Sequence, residues 1–234
     1  NVKADHKQIE KKLAKSEELY RTLFENMLGV CYRADKKGNI IMVNPPGVKL
    51  LDYNSPKEII GKNLAKDLYY IPEDRKSFLE ELKKRKGSVK DCEVTLKKRD
   101  GTPVIVSTSS HYYYDKEGNI AGVEGIFVDI TERKQNEKLQ QVLYNISKAA
   151  NSPITLDQLY PIIHKELGNI IDTTNFFIAL VNYQKDEVYF PYFVDEKDKD
   201  FPIINFSETN SLTVYVIKTD QPLLVDYKKL QKMI

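Results

Sequence analysis

The residues of widest chemical reach in this chain are three histidines, His6, His111 and His164, and two cysteines, Cys31 and Cys92. An imidazole can take a phosphoryl group, move a proton or ligate a metal, and a thiolate can attack carbon or bind zinc. Their surroundings favour plainer roles. A phosphoacceptor histidine belongs on a dimerising helix and is usually followed by an acid; His164 lies in a helical pattern but precedes Lys165, which marks an ordinary surface or packing residue. His6 falls in a charged run and reads as solvent-exposed. Cys31 and Cys92 are far apart and outside Cys-x-x-Cys spacing, so neither a disulfide framework nor a thiolate zinc site is available, and a reducing, cytoplasmic setting fits. Cys92 alternates with Val94 and Leu96, the pattern of a small buried hydrophobe. The sequence holds no catalytic triad, glycine-rich phosphate loop, paired catalytic acids or metal cluster at usable spacing, and its 15 tyrosines without tryptophan add no catalytic signal. The segment does not read as an enzyme.

The elements that carry these residues follow from composition and period. A length of 234 residues predicts two modest domains or one large one, and 41% hydrophobic with 30% charged residues is enough for packed cores. Lys and Arg number 36 against 34 Asp and Glu, so no charge excess points to nucleic acid or a polybasic membrane contact. No apolar run reaches the roughly 18 to 20 residues that span a bilayer. A start at Asn1 predicts a segment of a longer protein, about whose membrane spans the segment says nothing.

Residues 1–28 form a helical pattern in which Ile9, Leu13, Ser16, Tyr20, Leu23 and Met27 step by four and three. The stripe fits a coiled-coil seam or one amphipathic helix packed on its own domain. Val30–Ala34 and Ile40–Val43 then flank the turn Asp35-Lys36-Lys37-Gly38-Asn39 as a hairpin. Short helical pieces and a longer helix from Pro72 to about Lys86 follow, ended by Gly87. Three strands are predicted near 88–98, 103–114 and 120–130. In the second, Val106, Thr108, Ser110 and Tyr112 share a face opposite His111; the third is apolar on both faces, as a central strand covered on both sides would be. Turns at Arg99-Asp100-Gly101 and Asp115–Asn119 join these strands, without the oxygen-ligand spacing of a calcium loop. The class is α+β: one antiparallel five-stranded sheet with helices on one face. Thr131 is read as the N-cap of a linker helix over 132–150, a rod of roughly 30 Å at 1.5 Å per residue. A second α+β region over 151–234 has a helix from Leu156 to Ile170, a hairpin of Phe176–Tyr183 and Glu187–Val194, a solvated acidic loop at 195–200, a helix at Ser211–Lys218 and a strand at Leu223–Val225.

Residues 29–131 resemble a PAS domain. The carriers are Asn44, Leu50-Leu51-Asp52-Tyr53, Glu58-Ile59-Ile60-Gly61-Lys62, Pro72-Glu73-Asp74-Arg75, Arg99-Asp100-Gly101 and, above all, Asp129-Ile130-Thr131-Glu132-Arg133-Lys134. Pro46, Asp52 and Ile71 depart from the family's usual alanine, glycine and histidine. From about Lys138 the chain looks like the first part of a GAF domain, carried by Leu143–Ser147, Leu156-Asp157-Gln158-Leu159 and Ser211–Asp226, with Val214 and Thr219-Asp220-Gln221-Pro222 departing from the family pattern. These resemblances imply a sensory segment of a signalling protein, such as a bacterial or archaeal sensor histidine kinase or a regulator of a cyclic-dinucleotide enzyme.

The PAS resemblance implies an inward face of Tyr32, Ala34, Val94, Leu96, Val106, Thr108, Ser110, Val123, Gly125 and Phe127, which reads equally as a small-molecule pocket or a filled core. It also implies signal coupling at Asp129, Ile130 and Thr131. Haem is disfavoured because His111 points away from that face and the Pro72–Lys86 helix has no histidine. Asn63-Leu64-Ala65-Lys66 lacks the cysteine of flavin photochemistry, and no cysteine in the second half could hold a bilin. Two functions stay open: a ligand-binding or relaying sensor that acts through the helix after the PAS region on a downstream output domain, and a ligand-free homodimerisation scaffold.

Overall fold

The computed structural model describes residues 2–198 and 200–226, with backbone alone for 2–5. The chain divides into two compact units, Asn1–Asn136 and Glu137–Ile234. No helix among the described residues is long and apolar enough to cross a membrane.

The first unit opens with α1 (Val2–Asn26), followed by β1 (Val30–Asp35), β2 (Ile40–Val43), α2 (Pro45–Leu50) and α3 (Pro56–Ile59). A single π-helical turn at Leu64–Leu68 leads to α4 (Asp74–Lys84), β3 (Ser88–Lys97), β4 (Pro103–Tyr114) and β5 (Ile120–Asp129). The five strands form one antiparallel sheet in the order β2-β1-β5-β4-β3. The predicted α+β class and five-stranded sheet are therefore present. Each hairpin turn is built by an aspartate: Asp35 Oδ1 accepts from the Lys37 and Asn39 N–H groups, and Asp115 Oδ1 does the same for Glu117 and Asn119.

Helices α2 to α4 cover one face of this sheet, where Val30, Tyr32, Ala34, Leu96, Val104, Val106 and Phe127 are buried together with Leu51, Ile59, Leu64 and Leu68. Asn44 organises the corner. It is fully buried, and its Oδ1 accepts from Cys31 N at 3.0 Å and Gly47 N at 3.4 Å while its Nδ2 donates to Gly29 O at 2.9 Å and Phe24 O at 3.2 Å. One side chain thus caps α2 and ties the end of α1 to the start of β1. Gly47 permits the close approach of α2: a Cβ there would stand 2.6 Å from Val43 Cγ2 and 2.7 Å from Val30 Cγ1.

Three expectations for this unit need correction, and β3 shows an irregularity that simple alternation does not describe. Helix α4 begins at Asp74 and ends at Lys84, because Pro72 and Glu73 form the preceding turn and Lys86 and Gly87 both take positive φ. Val89 is buried on the same side as Cys92 and Leu96 although parity opposes it; the ladder is irregular between Val89 and Cys92, and Asp91 is left-handed at φ 52°. Strand β5 is central but not covered on both sides, since Ile126 and Val128 on its outer face are each 44% exposed. The stripe of α1 is also not packed on its own domain: Ile9, Leu13, Tyr20 and Leu23 are about 60% exposed, and only the end of the helix reaches the sheet corner.

Helix α5 (Thr131–Ala150) begins within the first unit and continues into the second. The second unit then holds α6 (Leu156–Leu167), β6 (Phe176–Asn182), β7 (Glu187–Val194), β8 (Ile204–Asn205) and α7 (Leu212–Thr219), with strands ordered β6-β7-β8. Thr155 and Gln158 form a capping box at α6, and Ser211 Oγ accepts from Val214 N at α7. Two details differ from expectation. The two-residue strand β8 is too short to leave a periodic signal, and Leu223–Val225 lies in no strand, with Leu224 94% exposed. The polar stretch after Asp226 lies outside the described residues.

Candidate functional site

Six of the ten residues expected on the inward face lie around one small cavity, and the space between them is closely filled. Tyr32, Val94, Leu96, Val106, Thr108 and Phe127 line an internal cavity of about 20 Å³, completed by Leu64, Tyr69 and Arg75. That is the space of one water rather than of an organic molecule. Ala34, Ser110 and Gly125 lie on the same sheet face without lining the cavity, and Val123 lines a different cleft.

The polar groups on this face are spent on one another. Thr108 Oγ1 donates to Ile126 O at 3.1 Å, so the 2.8 Å contact between Thr108 and Ser110 takes its proton from Ser110, and the 3.0 Å contact between Ser110 and Tyr32 takes its proton from Tyr32. The result is a directed chain from β1 across β4 to β5. Gly125 stands opposite Ser110 in register, where a Cβ would collide with Ser109 O and Ser110 Oγ.

Tyr69 and Arg75 were not among the predicted lining residues. Tyr69 is 2% exposed, bridges to Leu96 just past the π-helical turn, and has its phenol pushed up to about 12, chiefly by burial. Arg75, in the first turn of α4, is 6% exposed; its guanidinium carbon lies 4.9 Å from the Phe78 ring centroid and 5.7 Å from that of Tyr69. Charge argues for the surface in any reading of sequence alone, and only Arg75's place in Pro72-Glu73-Asp74-Arg75 singled it out.

The histidines and cysteines stay apart. His111 is on the outer face, as alternation placed it, 3.1 Å from Glu124, which also pairs with Arg33. His164 is a packing residue: Nε2 donates to Thr173 O at 2.9 Å, Nδ1 accepts from Tyr192 OH at 2.9 Å, and the ring stacks on Phe176 at 4.8 Å. Burial raises both the Cys31 and the Cys92 thiol, which keeps them protonated. No group of three or more His, Cys, Asp or Glu among the described residues could hold a metal ion.

Asp129, Ile130 and Thr131, expected to couple the sheet to the helix, lie at the exit of the sheet. Ile130 N donates to Ile105 O at 2.9 Å, while Thr131 Oγ1 accepts from Ile105 N at 3.0 Å and lies 3.4 Å from Ile105 O. Thr131 is therefore the first residue of α5 rather than its cap, and Asp129 does the capping: its Oδ1 accepts from Thr131 N at 2.8 Å. One turn on, Lys134 Nζ lies 2.7 Å from Glu93 Oε1 and Arg133 lies 3.8 Å from it. The start of α5 is thus tied to β4 through Ile105 and to β3 through Glu93. Ile105 is flanked by Val104 and Val106, both fully buried in the core.

Residues 27–132 match the PAS domain family model. Among solved structures, the chain is similar to the PAS domain of a protein from Colwellia psychrerythraea, at 21% identity and TM-score 0.44 over 49% of this chain and 97% of that one. It is similar to the PAS domain of an HTR-like protein from Haloarcula marismortui, at 23% identity and TM-score 0.43 over 53% and 99%. A domain of a sensory box sensor histidine kinase/response regulator from Geobacter sulfurreducens matches at 22% identity and TM-score 0.39 over 50% and 96%. No curated protein matches the chain. The family match, the β2-β1-β5-β4-β3 sheet and its one-sided helical cover together give residues 27–132 a PAS-type α+β fold.

Proposed function

We propose that the chain is the sensory segment of a signal-transduction protein, in which the state of the PAS core is passed through α5 to a downstream output domain. The observation that supports this is the exit of the sheet: both backbone groups of Ile105, between two buried core valines, are engaged by Ile130 and Thr131. A ligand or a neighbouring domain that shifts β4 alters the hydrogen bonds that hold the first turn of α5. Moving such a switch from 1:99 to 99:1 takes about 5.5 kcal/mol of differential affinity. In this reading the second unit is a partial GAF-type domain, supported by its succession of α6, the β6–β7 hairpin and α7. The parent is a sensor histidine kinase of a two-component system, or a cyclic-dinucleotide enzyme, and the segment is cytoplasmic. Replacing Thr131 by Val keeps the shape and removes the hydroxyl. It should raise amide exchange several-fold over residues 131–136 and alter output in the full-length parent; unchanged exchange and output would sink the relay.

A second reading, a homodimerisation scaffold, is favoured by one observation. The apolar stripe of α1 lies open to solvent along most of its length, and a helix of this kind draws most of its stability from a covered face.

A further inference from the structure

A second cleft, of about 220 Å³, opens between α4, the β1–β2 turn and the start of β5, and Arg75 borders both it and the small internal cavity. Arg75 is the notable group. It is more than nine-tenths buried and its guanidinium lies near two aromatic rings, yet it forms no ion pair with a described carboxylate. A guanidinium withdrawn from water without a counter-charge is expensive. A hydrogen bond to the Tyr69 hydroxyl and the aromatic faces recover only part of that cost, since neither supplies a negative charge.

The rest of the cleft is arranged for a particular kind of anion. Lys36 and Lys37 add positive charge at the β1–β2 turn. The cleft's one acid, Asp35, has its oxygens committed to Lys37 N, Asn39 N and Asn39 Nδ2, which hold its carboxyl below the usual range. Leu79, Ile120 and Val123 supply an apolar wall. A planar carboxylate matches the fork of an arginine, and an apolar wall calls for an organic body behind it. Inorganic phosphate would leave that wall against water, and a neutral molecule would leave Arg75 uncompensated.

We propose that this cleft binds a small organic carboxylate, with Arg75 as the anchor for its charge and the Leu79–Val123 wall for its body. The proposal rests on the ligand-sensing reading above and names the ligand class. Binding at Arg75 would also reach the internal cavity, because the same side chain lines both.

The test is a titration of the isotope-labelled chain with acetate, butyrate and benzoate, beside acetamide, butyramide and benzamide as neutral counterparts and inorganic phosphate as a bare anion. The carboxylates with apolar bodies should shift the amide signals of Gly38 and Val123, with the amides and phosphate at least about tenfold weaker. Arg75→Met should weaken benzoate binding by about tenfold or more. Because it removes a buried charge that no described carboxylate balances, it should also leave the thermal midpoint equal or higher. If that variant fails to fold, Arg75→Lys, which keeps charge but loses the fork, should give intermediate binding. Equal binding of amides and carboxylates, unaffected by Arg75→Met, would overturn the carboxylate assignment while a small-ligand site survived. Shifts from neither series would overturn the assignment and remove the ligand, leaving the relay through α5 to be judged by Thr131→Val. Phosphate binding as tight as benzoate would overturn the role of the apolar wall.

Discussion

At Tyr69 and Arg75 the physics of single groups is most exposed. Tyr69 is held neutral by burial, so its phenol ionises near 12 in the folded chain against 10.0 for a free one. Below about pH 10 both states keep the proton and this group has no effect on stability. Between the two values the unfolded chain ionises first, so stability falls as pH rises through that window. Tyr69→Phe should flatten this loss; urea midpoints measured in steps from pH 9 to 12 check it, and an identical pH profile for both proteins would contradict it. Asn44 was legible as a motif residue, but its four hydrogen bonds were not, since they join Phe24, Gly29, Cys31 and Gly47 across a corner that exists only after folding. The same holds for the inward Tyr32–Ser110–Thr108 chain, whose members were legible by alternation and whose mutual satisfaction was not.

Elements were read well wherever period and punctuation agree. The alternation of β4 and the aspartate turns gave the strand positions, because a strand half covered by helices must alternate and a two-strand reversal needs its turn residues. Period misled where an element is not uniform: the irregularity near Asp91 brings Val89 to the inner face against parity, and β5 has apolar residues on an outer side that no helix covers. The exit of the sheet shows the same limit, since a threonine before a helical run reads as a cap, while the structure assigns the cap to Asp129 and ties Thr131 to β4. Helix α1 carries its own prediction. Its stripe of Ile9, Leu13, Tyr20 and Leu23 stays about 60% exposed, although Tyr20 OH reaches Met42 Sδ at 3.6 Å, and pairing with a second copy would bury it. The chain should therefore sediment as a dimer at high concentration, and Leu13→Glu with Leu23→Glu should shift it to monomer with the sheet intact by circular dichroism. A wild-type monomer at every concentration would rule out the scaffold.

Across the whole molecule, the order of sensing elements and helix is what gives the chain a direction. The PAS sheet gathers its core residues on one face, and its last strand runs through Asp129, Ile130 and Thr131 directly into α5. In the proposed relay a change beside Ile105 would be passed on instead of being absorbed, because a packed core is bistable rather than softly deformable. The most direct test uses Val106→Ala, a buried truncation next to Ile105 and in register with Val94 and Asp129, which leaves the Thr131 and Glu93 side chains unchanged, with hydrogen exchange followed along the full chain. If the core drives the helix, exchange over residues 131–136 should rise several-fold more than exchange in β1 and β2, which report any general loss of stability. An equal rise in both places would mean that α5 is indifferent to the PAS core, and the account of signal transfer would fall.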